Sequence, residues 1–144
     1  MTVKSNHKTP DTAETLLVVD DDPTFRDAET QILRLEGYAV LEAQGAAEAL
    51  RLAREAAPVH ILITDYSLPE VDGLELTRRF RAEHPGTPVL MVSGSLPRLR
   101  DGIQDLDRFE ILAKPFAFDE LLLRVRTLLD AAAPQPIRKR WCCD

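Results

Sequence analysis

Two patterns of apolar residues alternate along the chain. Leu16-Leu17-Val18-Val19 and Val89-Leu90-Met91-Val92 are continuous apolar runs, and Val59 to Thr64 is nearly one; such runs fit strands buried on both faces. Tyr38 to Ala43 and Phe109 to Ala113 read as two further strands. Between them the period lengthens to that of a helix. Asp22-Pro23 starts one, because aspartate caps well and proline suits the first helical position, and Phe25, Ala28, Ile32 and Leu35 continue it until Gly37 closes it. Gly45 opens a second helix with Ala46, Ala49, Leu50, Ala53 and Ala57 on one face, ended by Pro58. Asp72 caps a third with Leu76 and Phe80 inward, stopped by His84-Pro85-Gly86. Leu96, Leu99, Ile103 and Leu106 keep helical spacing through the interruptions of Pro97 and Gly102. Phe118, Leu121, Leu122, Val125, Leu128 and Leu129 mark a last amphipathic helix.

Five strands alternating with five helices indicate an α/β fold: a doubly wound, five-stranded parallel sheet with helices on both faces. Of the doubly wound orders, the flavodoxin-like 2-1-3-4-5 suits five strands and puts a switch point between the first and third. Residues 1–14 are polar and read as a flexible leader, 15–132 as one domain, and 133–144, with Pro134-Gln135-Pro136, as a tail or linker.

Composition narrows the classes. The chain has 144 residues, 44% hydrophobic and 29% charged, and no apolar run nears the roughly 20 residues of a membrane helix. Met1 to Lys8 has no secretion-signal pattern. A net charge of -6 gives no general reason to hold nucleic acid. The two cysteines, Cys142 and Cys143, are adjacent and cannot staple the fold, so a cytoplasmic location is expected.

The order 2-1-3-4-5 brings Asp20 and Asp21, after the first strand, beside Asp65, after the third. Crowded carboxylates raise one another's pKa unless a cation compensates, and Mg2+ is the natural choice because it takes oxygen ligands together with phosphate. That suits phosphoryl transfer: an aspartate accepts the group, a metal neutralises charge, and a lysine adds a second cation. Lys114, at the end of the last strand, and the hydroxyl of Ser93, at the end of the fourth, are placed to help.

Four pieces of text, each at a strand end, occur in order: Val18-Val19-Asp20-Asp21; Asp65 with Leu68-Pro69 and Asp72-Gly73; Ser93-Gly94; and Lys114-Pro115-Phe116. Over Thr15 to Ala131 the chain resembles the receiver domain of two-component response regulators. The resemblance implies that Asp65 is the phosphoacceptor, that Asp21 binds Mg2+ directly and Asp20 through water, and that the Ser67 backbone carbonyl is a further metal ligand. It implies that Ser93 is the switch hydroxyl, that Lys114 pairs with the phosphoryl group, and that the Lys114-Pro115 bond is cis. Partners by the same resemblance are a sensor histidine kinase or phosphotransfer protein and a downstream protein, with a homodimer left open and no nucleic acid or membrane contact by this domain. Ile111 departs from the pattern, since the family usually has an aromatic switch residue there.

Two other functions fit parts of the text. Asp20-Asp21-Asp22-Pro23-Thr24 also reads as the D-x-D-x-T of haloacid-dehalogenase-like phosphatases, with Asp20 as nucleophile and Asp22 as acid-base partner. Ile111 keeps open a pseudo-receiver that binds partners without phosphorylation. His60 and His84 have no ligand-spaced partner and read as incidental. In the tail, Trp141 beside Arg138-Lys139-Arg140 could anchor a partner.

Overall fold

A computed structural model describes residues 13–56, 58–94 and 108–132. The strands are β1 Thr15–Val19, β2 Ala39–Ala43, β3 Ile61–Asp65, β4 Val89–Ser93 and β5 Phe109–Ala113. The helices are α1 Pro23–Leu35, α2 Ala46–Glu55, α3 Gly73–Glu83 and α4 Phe118–Ala131. All pairings are parallel and the order is β2-β1-β3-β4-β5, as expected. The helix expected across Leu96–Leu106, the leader and the tail lie outside the described residues.

Alternation along each strand divides the core into two layers. Leu16, Val18, Ile61, Ile63, Leu90 and Val92 point to the face covered by Leu33 of α1 and Leu121, Val125 and Leu128 of α4. Leu17, Val19, Leu62 and Val89 point to the other face, under Ala46, Ala49 and Ala53 of α2 and Leu76 and Phe80 of α3. The alanines let α2 pack close to the sheet. Because β1 and β3 are lined on both faces by such side chains, the chain can turn polar only where these strands end, and there the acids stand.

Caps fix the helices that follow. Asp22 accepts hydrogen bonds from the Thr24 and Phe25 N–H groups at 3.0 and 3.4 Å, Pro23 takes the first helical position, and Asp72 accepts from Glu75 N–H at 2.9 Å. Gly37, after α1, has φ 101°, a left-handed conformation that glycine adopts without strain.

Some boundaries and one face differ from expectation, and β2 starts at Ala39 rather than Tyr38. β3 starts at Ile61 rather than Val59, and α2 stops at Glu55, three residues before Pro58. On α1 the inward residues are Glu29, Thr30 and Leu33, whereas Leu35, placed on the apolar stripe by spacing, is 74% exposed. The helix meets the sheet through the Phe25-Glu29-Leu33 row, one turn apart at each step, and this row contains a charged residue that a purely apolar pattern passes over.

Candidate functional site

The carboxyl ends of β1, β3 and β5 converge. Asp20 follows β1 directly and is 3% exposed, Asp65 ends β3 at 8%, and Asp21, next to Asp20 in the chain, is exposed. One carboxylate oxygen from each lies within 4.8 Å of the others. Lys114, following β5, reaches Asp65 Oδ2 with its Nζ at 3.2 Å. The Lys114-Pro115 peptide is cis.

Local hydrogen bonds hold each acid. Asp20 Oδ1 accepts from Asp22 N–H at 2.9 Å, and the Asp20 carbonyl accepts from Arg26 Nη1 at 2.7 Å. Arg26 is itself held by Glu42 of β2 at 3.2 Å. Asp65 Oδ1 accepts a long bond from Ser67 N–H at 3.4 Å. The turn beyond closes through Gly73 N–H to the Tyr66 carbonyl at 2.7 Å. Gly73 is needed for that approach, since a Cβ there would fall on the Asp65 carbonyl oxygen.

Electrostatics follows from this crowding. Burial pushes the Asp20 carboxyl above the usual carboxylate range; the Asp22 N–H opposes it, Asp65 adds to it, Lys114 opposes it and Asp21 adds to it. Three acids with one lysine are the donor set that a small hard cation would complete.

Lys114 also has an aromatic floor. Its Nζ stands 5.1 Å from the centre of the Phe25 ring, near enough for a cation–π attraction. Phe25 packs edge-on to Phe116 at 5.8 Å and alongside Phe118 at 6.4 Å. An open cleft of about 410 Å³ is lined by Asp22, Phe25, Lys114, Pro115 and Phe116.

The structure thus brings together Asp20, Asp21, Asp65 and Lys114. Ser93 is buried at the end of β4, one strand from Asp65; its neighbour in register on β5 is Ala113, and its carbonyl accepts from Lys114 N–H at 3.0 Å. Ser67 lies two residues past Asp65 on the exposed turn. Ile111 is half-buried on β5, opposite Met91. His60 is buried and its Nδ1 accepts from Thr15 N–H at 3.0 Å, at the far end of β1; His84 stacks on Phe80 at 4.7 Å. Sequence reasoning missed Arg26, Phe25 as Lys114's floor, and the buried Glu29; the one available signal was a glutamate four residues after Phe25 on the same helical row.

Comparison with known proteins agrees with this geometry. A family model described as the response regulator receiver domain matches residues 16–126. The "Probable transcriptional regulatory protein TcrX" of Mycobacterium tuberculosis is 34% identical over 117 residues, covering 80% of this chain and 49% of that protein. The response regulator MprA of Mycobacterium sp. strain KMS is 35% identical over 125 residues, covering 83% and 52%. The chain therefore spans about half the length of the curated relatives it matches. Among solved structures, the receiver domain of the hybrid histidine kinase CckA is similar at TM-score 0.69 and 32% identity, covering 80% of this chain and 98% of that one. A response regulator receiver protein from Sinorhizobium medicae is similar at TM-score 0.76 and 26% identity, covering 83% and 96%. None of these matches supports the dehalogenase-like or pseudo-receiver alternatives. Matched from β1 into α4, the chain belongs to the response regulator receiver family, whose domains act as phosphorylation-dependent signalling switches.

Proposed function

We propose that this receiver takes a phosphoryl group on Asp65 from a histidine kinase or a phosphotransfer protein, with Mg2+ held by Asp20, Asp21, Asp65 and the Ser67 carbonyl. The observation that carries the reading is the 3.2 Å pair between Lys114 Nζ and Asp65 Oδ2, set beside two further carboxylates. A carboxylate oxygen of Asp65 bonds to phosphorus as the phosphorus–nitrogen bond of a phosphohistidine breaks, and the released imidazole takes a proton from solvent. Lys114 neutralises charge on the transferred group, and the Ser93 hydroxyl donates to one of its oxygens. Bound Mg2+ supplies charge stabilisation on the same oxygens.

The domain is a switch rather than an enzyme of small-molecule turnover, apart from its own phosphotransfer and dephosphorylation. Its phosphorylated form changes binding to a downstream protein through a population shift between conformers. Residues 15–132 are the receiver unit, with 1–14 and 133–144 outside it. The relative TcrX is named a probable transcriptional regulatory protein, a role not carried over to this domain. Among the described residues no helix is long and apolar enough to cross a membrane, which is compatible with a cytoplasmic site of action.

Incubation with Mg2+ and a radiolabelled small phosphodonor tests the reading. Asp65→Asn should lose the label by at least roughly 100-fold, while Asp20→Asn should retain measurable labelling. Label kept by Asp65→Asn and lost by Asp20→Asn would overturn it in favour of Asp20 as nucleophile.

A further inference from the structure

Glu29 is 2% exposed, and among the described residues its Oε2 has no hydrogen-bond partner. It sits on the α1 row between Phe25, which touches Lys114, and Leu33, which is part of the core under α1 and α4. Two helical turns separate it from the Asp22 cap. A carboxylate in that position would be an unpaired buried charge, which costs several kcal/mol or more, so the group is held as the neutral acid. Nothing in the phosphotransfer chemistry uses it.

We propose that Glu29 is a positioning residue of the Asp65 site: a buried carboxylic acid, uncharged at neutral pH, that ionises as Mg2+ binds and so couples cation binding to proton release. The inference rests on the reading that Asp20, Asp21 and Asp65 hold Mg2+. On binding, the O–H bond of Glu29 breaks and the proton passes to solvent; the carboxylate left behind balances part of the cation's charge and draws on Lys114 in competition with Asp65. When a phosphoryl group adds negative charge to the site, the proton returns.

The surroundings support this coupling. Burial is the largest cause that pushes the Glu29 carboxyl up, to about 8; Asp20 adds to it, Lys114 opposes it and Asp65 adds to it. These three charges stand at the ends of β1, β5 and β3. From β2 the charged neighbour of α1 is Glu42, already paired with Arg26 and Arg34. From α4 the buried side chains are Leu121, Val125 and Leu128, and Arg126 is occupied by Glu14, Tyr38 and Asp130. The charge that Glu29 responds to is therefore that of the strand ends, and it changes when a cation arrives there.

Calorimetric titration of the full chain with Mg2+, in buffers of different ionisation enthalpy between about pH 7 and about pH 9, tests the proposal. Wild type should release a sizeable fraction of a proton per Mg2+ near the middle of that range, and its affinity should rise roughly tenfold across it. Glu29→Gln, which keeps the shape of the neutral acid, should release almost none and lose most of that rise; Glu29→Leu should do the same. Equal proton release by wild type and Glu29→Gln would overturn the proposal. Carboxyl carbon NMR of Glu29 in the unaltered protein is independent of any folding defect: the resonance should titrate above about pH 7 without Mg2+ and shift to the ionised position on saturation. A Glu29 already ionised at about pH 7 without Mg2+ would overturn it. Asp21→Asn separates the two levels: Mg2+ affinity unchanged in that variant sinks the underlying metal reading, whereas affinity lost there with proton release unaltered in Glu29→Gln sinks only the role of Glu29.

Discussion

The acids at the strand ends and the acids around the helix rim are treated in opposite ways. On the rim, each of several glutamates has its own guanidinium: Glu83 takes two bonds from Arg54 at 3.0 and 2.9 Å, Glu14 two from Arg126 at 3.1 and 3.0 Å, and Glu110 one from Arg124 at 3.1 Å. At the strand ends, Asp20, Asp21 and Asp65 crowd together, and among the described residues their one ion pair is with Lys114. The rim could be neutralised because long side chains there are free to swing to a partner. The strand ends are fixed by the sheet, by caps and by the Gly73 turn, so their negative excess is built in. Rim pairs add small increments of stability, whereas the strand-end excess costs stability that a bound cation would relieve.

The contrast is broken most strongly at Glu29, which is buried and among the described residues has no arginine partner. Its folded pKa, about 8, lies above the ordinary value of 4.5. A raised folded pKa means that the folded state holds the proton more tightly, so the group's stabilising contribution is complete below about pH 4.5 and is lost as pH rises to about 8. Chemical denaturation without divalent cations should therefore show wild type losing on the order of 2–4 kcal/mol relative to Glu29→Gln between about pH 5 and about pH 8. Parallel pH profiles for the two proteins would remove Glu29 from the account.

Asp20→Asn should give a smaller effect whose sign depends on the cation. Asparagine keeps an oxygen for the Asp22 N–H, so the cap of the turn survives while a buried charge goes. Because the Asp20 pKa is raised chiefly by burial, its contribution too is full at low pH and is lost as pH rises through the raised value. With a chelator at about pH 7 the variant should gain about 1 kcal/mol in urea unfolding, a gain that fades below about pH 4; with Mg2+ in excess the order should reverse, since binding stabilises only the protein that binds. A loss of stability under both conditions would mean that the crowding is not the cost described.

Much of this was legible in the sequence, and the reasons are local. The runs through β1, β3 and β4 read as strands buried on both faces, and each ends on a polar residue at the same edge, which puts Asp20, Asp65 and Ser93 there. The caps Asp22 and Asp72 announce their helices because they satisfy exposed N–H groups at once. The inward face of α1 was not legible. Phe25, Ala28, Ile32 and Leu35 give an acceptable helical stripe, yet the packed row runs through Glu29, and no apolar pattern points to a buried glutamate. The role of Gly73 was visible as a motif only; the contact that requires it, with the Asp65 carbonyl, is a matter of chain path. Arg26 belongs to the same class, since its hold on the Asp20 carbonyl depends on α1 folding back beside β2.

The smallest effects belong on the rim, and two arginines there rank the comparison further. Arg126 is partly buried, donates to Glu14 and to the Tyr38 hydroxyl at 3.1 Å, and ties α4 to Glu14, the residue preceding β1. Arg54 is exposed and, among the described residues, ties α2 to α3 through its pair with Glu83. Arg126→Gln should cost about 1 kcal/mol in urea unfolding, most of it persisting in high salt because the Tyr38 bond and the packing are lost along with the charge. Arg54→Gln should leave the midpoint unchanged once salt is present, since its pair is solvent-exposed and screened. If Arg54→Gln cost as much as Arg126→Gln in high salt, the rim would be holding the helices in place rather than merely balancing charge. The contrast would then have to be redrawn between two structural regions instead of between a neutralised rim and a charged site.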